Sequence, residues 1–249
     1  MRIGPARRTA YSAFAALALA VAGMVFERAG PSVLSASTAD FAAWARAHHR
    51  ELLAQSAFLG PGTVPLLVFF AGLRAYLGRR QGMGRVDLSL VVLAGGAAWA
   101  TINLLAQGLQ VSLALAAEGG ADDEHLADLG DRMIDVLLVG NVPVAAAIAP
   151  TVYLGARDRS LPGWLVVLSF VTALAHAAPV ATAGVREGPL SREGALSYLP
   201  YPLLVAWLVG VAVTLLRRGR EGARAAPGTG VRVPLLGRGF RPTLAVWTD

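Results

Sequence analysis

Between Leu88 and Ala117 the chain runs LSLVVLAGGAAWATINLLAQGLQVSLALAA, without one formally charged side chain. As an α-helix rising 1.5 Å per residue, these roughly thirty residues exceed the ~20 that cross a bilayer's hydrocarbon core. Asn103, Gln107 and Gln110 recur at i, i+4 and i+7, so their side chains fall within about 60° of one another, with Gly96 and Trp99 continuing the stripe. A spanning helix must turn such a stripe away from lipid, so the other helices are expected to gather on it.

The remaining composition points the same way. Of 249 residues, 55% are hydrophobic and 15% charged, with a mean hydropathy of +0.55; charged residues make up about a quarter of an ordinary soluble domain. Absence of cysteine excludes disulfides, thiolate metal sites and cysteine nucleophiles. The formal charge of +6 could indicate nucleic acid, but the basic residues lie in short loops and a tail between apolar runs. Anionic lipid headgroups suit that placement better, and no nucleic-acid partner is expected. All 22 basic residues are arginine, which together with the Ala and Gly richness reads as GC-rich coding bias.

Six spans are expected, at about 9–26, 57–77, 88–117, 133–154, 162–184 and 198–216. Residues 1–8 are basic. The first run could belong to a signal peptide cut near Ser35-Ala36-Ser37, but at about eighteen residues it exceeds the usual apolar region and is read as a retained helix. Between the first two spans, Ser37 to Asp40 has the form of a capping box, opening an amphipathic helix over about 38–55. With Phe41, Trp44, His48 and Leu52 on one side, it is expected to lie on the membrane surface, aromatic side down. Adjacent His48 and His49 point about 100° apart and do not make a metal pair. Pro61, Gly62 and Pro65 are expected to loosen or kink the second span.

The segment Glu118–Asp131 reads as an acidic loop. It lacks the D-x-D-x-D-G spacing of a calcium loop, so no metal site is expected. Arg132 is close enough to pair with Asp131 or Asp135. Pro162 stands where a helix commonly starts, Tyr198 and Tyr201 form an aromatic interfacial end, and residues 217–249 read as a disordered basic tail.

With six spans the arginines separate by side: sixteen on the side of the termini and six on the other, or nine against six without the tail. The positive-inside rule then puts both termini in the cytoplasm. Arg79, Arg80, Arg217, Arg218 and Arg220 are expected headgroup contacts.

Within the spans, Asn103 and His176 fall at similar depth. With Gln107, Gln110, Asp135, Asn141, Ser169 and Thr172 they form the candidate polar set. It could line an outward-facing cavity, since an intramembrane ionisable residue raises a functional hypothesis. Equally, amides and one histidine can serve as hydrogen-bonded glue between helices. A single intramembrane histidine is too few for bis-His haem, and no G-x-S-x-G, H-E-x-x-H or Walker-type loop is present. No catalytic residue and no cofactor are therefore expected.

The order of DFAAWARAHHRELLAQ, LRAYLGRR, an Ala/Gly-rich third span, an acidic loop and LPGW resembles a group of uncharacterised six-helix membrane proteins of GC-rich bacteria, classed under domains of unknown function. The resemblance covers about residues 9–216. It implies an all-α six-helix bundle in the bacterial inner membrane and carries no activity. The expectation is a non-enzymatic membrane component that assembles with itself or other membrane proteins through helix contacts. The alternative is a small-solute or proton-coupled permease using the stripes of spans three and five; its ligand is unspecified.

Overall fold

The computed structural model describes residues 4–28, 30–31, 36–79, 87–181 and 198–225. These contain six helices: α1 (Pro5–Met24), α2 (Thr38–Gly78), α3 (Leu88–Glu118), α4 (Asp123–Asp158), α5 (Gly163–Ala181) and α6 (Pro200–Ala225). Five of them, α2 to α6, are long and apolar enough to cross a membrane. α1 is the exception because its first turns include Arg7 and Arg8, leaving only about 24 Å of uncharged helix from Thr9 to Met24. The chain is an all-α, six-helix membrane bundle.

Each helix packs against the next in sequence, and α6 returns to α1, so the six form a closed ring, with α2 also touching α4. Small residues set the closest approaches. Thr9 of α1 occupies the space where a Cβ on Gly72 would stand, and a Cβ on Gly95 of α3 would lie 2.7 Å from the Pro143 carbonyl oxygen of α4.

One end of the ring collects arginines. Arg218 of α6 donates to the Tyr76 hydroxyl (2.6 Å) and the Arg159 carbonyl (3.3 Å), while Tyr76 donates to the Ser160 carbonyl. Arg74 pairs with Asp87 at 3.3 Å. The Ser89 hydroxyl, foremost, and then its amide and Arg74, hold the Asp87 carboxyl below the usual carboxylate range against a partial desolvation. Gly219 approaches Ala6 and Arg7, so the start of α1 and the last turns of α6 share this arginine end.

The opposite, carboxylate end departs from expectation. At about 46 and 54 Å, α3 and α4 are far longer than a bilayer core. The surplus builds a second apolar core from Phe41, Ala42, Ala45 and Leu52 of α2, Leu113, Ala114 and Ala117 of α3, and Leu126 of α4. The amphipathic segment therefore does not lie flat with its aromatic side in lipid. Ser37 caps it, accepting from the Asp40 amide, and it leads straight into the second span within α2 across a kink at His48, whose backbone is non-helical (φ −119°, ψ 16°). The helix passes through Pro61 and Pro65, where α1 packs beside Gly62. Arg46 clamps this end to the α3–α4 turn, donating to Asp123 and to the Ala121 carbonyl, both at 2.7 Å.

Much of the expected acidic loop is the start of α4. Asp122 caps it through the His125 amide, and Asp123 and Glu124 fall in the first turn, where the helix dipole favours negative charge. Arg132 donates to Asp128, one turn back, at 2.8 Å. Residues 217–225 continue α6 instead of opening the tail; 226–249, Arg80 and the end of the fifth span at 182–184 lie outside the described residues.

Candidate functional site

The middle of the ring is filled by aromatic rings. Trp207 of α6 meets Phe69 edge-on at 5.8 Å and stacks near Phe70 at 6.4 Å; Phe70 meets Trp99 edge-on at 6.2 Å. Phe69, Phe70 and Trp207 are all fully buried. Trp207 is oriented by a 2.9 Å bond from its Nε1 to the Ser169 hydroxyl of α5, which itself donates to the Leu165 carbonyl.

Beside this plug lies a cavity of about 60 Å³. Trp99, Ile102 and Asn103 of α3 form one wall; Leu137, Gly140 and Asn141 of α4 form the second. His176 of α5, with Tyr201 and Leu204 of α6, completes it. On each helix the step of one turn toward the arginine end leads into filled core: from Trp99 to Gly96 under Phe70, from Asn141 to Val144, from His176 to Thr172, and from Leu204 to Trp207. The cavity is thus a cup whose floor is the aromatic plug and whose rim, at Tyr201, points to the carboxylate end.

The polar groups of the cup have defined roles. His176 is 2% exposed, and its Nδ1 lies 2.8 Å from the Thr172 carbonyl. A carbonyl only accepts, so Nδ1 carries a proton, and in the neutral ring Nε2 then holds the lone pair. Asn141 donates from Nδ2 to the Leu137 and Leu138 carbonyls, 3.2 Å each, leaving its amide oxygen as an acceptor.

The other candidates are distributed differently. Ser169 and Thr172 sit below the cup; Thr172 donates to the Leu168 carbonyl at 2.7 Å, with Leu203 of α6 at 3.5 Å. Asp135 is exposed on α4, outside the lining. Gln110 crosses to α2, donating to the Leu52 carbonyl (3.0 Å) and the Gln55 amide oxygen (2.7 Å), at the join between the two cores. Gln107 is buried, with its amide oxygen unpaired. Of the arginines expected at headgroups, Arg79 caps the end of α2, Arg217 is exposed and Arg220 lies on α6. Arg218 is instead tied to Tyr76 and Arg159.

Tyr201, Leu204 and the floor-forming Trp207 were not legible as site residues. α6 shows no polar stripe to mark them, and the one signal was the aromatic start of the helix.

Gln107 and Gln110 should therefore respond oppositely to leucine. Gln110→Leu removes two bonds between helices and is expected to cost about 1 kcal/mol, the modest scale of such bonds in membranes. Gln107→Leu removes a buried unpaired acceptor and should be neutral or slightly stabilising. Reversible unfolding in bicelles checks the pair; equal losses would contradict the assignment.

Compared with family models, curated proteins and solved structures, the chain matches none. Its class is defined by the geometry itself: a polytopic helical membrane bundle, plugged at its centre and cupped at one end.

Proposed function

We propose that this protein is a non-enzymatic component of the bacterial inner membrane that acts by assembling, through its lipid-facing helix surfaces, with itself or with other membrane proteins. The observation that carries this reading is the filled ring interior at Phe69, Phe70, Trp99 and Trp207. In support, Ser169, Thr172, Thr151 and Asn141 donate to nearby carbonyls of their own helices, while Val167, Phe170, Val171 and Leu174 form an exposed apolar face on α5. The second reading, a small-solute or proton-coupled permease, is favoured by the cup alone and requires the plug to move. Crosslinking in native membranes and flux in liposomes test the two. A chain that stays uncrosslinked and conducts solute or protons above protein-free liposomes would overturn the first reading.

The same proposal includes six spans and cytoplasmic termini. α1 runs antiparallel along the spanning part of α2, from Thr9 at Gly72 to Gly23 at Leu59, which supports reading it as a sixth span despite its two arginines. The gathered Arg7, Arg74, Arg157 and Arg218 favour the cytoplasmic face for that end. A reporter joined after Arg220 should be cytoplasmic, and one inserted at Gly120, in the α3–α4 turn, periplasmic. Signals from one compartment for both would contradict this topology.

A further inference from the structure

The cup presents hydrogen-bond acceptors, and the helices that build it enforce that polarity. The two hydrogens of the Asn141 amide are engaged by Leu137 and Leu138, and the Nδ1 proton of His176 by Thr172. What remains toward the cavity is the Asn141 oxygen and the Nε2 lone pair. The Asn141 amide cannot turn over, nor the neutral His176 ring change tautomer, without abandoning these carbonyls. Asn103 adds an amide free to turn either its oxygen or its N–H groups to a ligand, and Trp99 and Tyr201 add aromatic faces. Beside Asn141 and His176 an oxyanion would meet lone pairs, whereas a group with only N–H donors and positive charge would meet acceptors there and π-faces at Trp99 and Tyr201.

The approach to the cup has the same sign. Its rim points to the end where Asp122, Asp123, Glu124, Asp128 and Asp131 begin α4; Arg46 pairs with Asp123 and Arg132 with Asp128 there, and carboxylates remain in excess among the described residues of that end. Such a field concentrates cations at the mouth. About 60 Å³ admits a small head of a few non-hydrogen atoms.

We propose that this cup is a binding site for a primary ammonium group, held by Asn141 and His176 against Trp99. The group can arrive as a free small amine or as the ethanolamine head of a lipid. The inference is independent of whether the protein assembles or transports.

The test uses the full chain, labelled with ¹⁵N-histidine, in nanodiscs of phosphatidylcholine and phosphatidylglycerol. Methylammonium should shift the His176 Nε2 resonance saturably, with methanol and formate binding at least tenfold more weakly. Asn103→Leu, at a half-buried position without a helix tether, should weaken methylammonium binding severalfold. His176→Phe should weaken it at least tenfold when followed by tryptophan fluorescence. Adding phosphatidylethanolamine distinguishes the sources: a shift without added amine and a raised apparent Kd for methylammonium assign the lipid head, and an unchanged Kd assigns the free amine. Either result upholds the site. No saturable shift in wild type, or formate or methanol binding as tightly as methylammonium, would overturn the proposal.

Discussion

Replacing Gly95 with alanine is expected to destabilise the bundle by about 3 kcal/mol, the upper range for overpacking a tight interior. The added Cβ would lie 2.7 Å from the Pro143 carbonyl oxygen, 2.8 Å from the Ala147 amide nitrogen and 3.0 Å from the Ala147 Cα. All three are backbone atoms of α4, so relief requires α3 and α4 to separate along an extensive interface. At neighbouring Gly96 the obstacle is the Phe70 ring, a side chain, so Gly96→Ala should cost less. Gly108 supplies the control. It is exposed on the same helix with nothing within 4 Å of its Cβ position, and Gly108→Ala should cost nothing. Steric-trap unfolding in bicelles measures all three, and equal stability of the Gly95 and Gly108 variants would rule out this close backbone approach.

The second large effect is expected at Trp207. Trp207→Ala removes a fully buried ring, its two aromatic neighbours and the bond to Ser169. Large-to-small changes of this kind cost about 3–5 kcal/mol in soluble cores. Here the lower end applies, because lipid tails are as apolar as the site and the loss is one of packing rather than of transfer from water. The same change takes away the floor of the cup. Proton leak through liposomes should therefore rise above that of wild type, whereas Trp207→Phe keeps most of the bulk and should remain tight. A Trp207→Ala variant that is as stable and as tight as wild type would show that the plug neither supports nor closes the ring.

The bundle itself was legible because a bilayer makes a simple demand: about twenty apolar residues per crossing. Leu88–Ala117 meets it without reference to any other part of the chain. The cap at Ser37 was equally local, since it depends only on a hydroxyl and an amide three residues apart. The helix ends were less so. The acidic residues from Asp122 onward, polar enough to read as a loop, become helical when Arg46 pairs with Asp123 and Leu126 finds the second core, contacts separated by about 77 positions in the chain. Likewise Phe41 and its neighbours show an apolar face, but whether that face meets lipid or α3 and α4 depends on how far those helices project.

The candidate site divides along the same line. Helical periodicity placed Asn103, Gln107 and Gln110 on one stripe of α3, but that stripe is wide enough to touch different neighbours. Gln110 reaches α2, Gln107 is buried without a partner for its oxygen, and Asn103 joins Asn141 and His176 in the cup. A period of 3.6 residues fixes each side chain's direction about its own axis. It leaves open the rotation and height of one helix against another. By itself, then, the sequence determined that the chain is a polytopic helical bundle and which residues share a helix face. The ring, the aromatic plug and the union of three distant polar side chains were decided by tertiary packing, where glycines such as Gly72 and Gly95 let backbones approach and so set those rotations and heights.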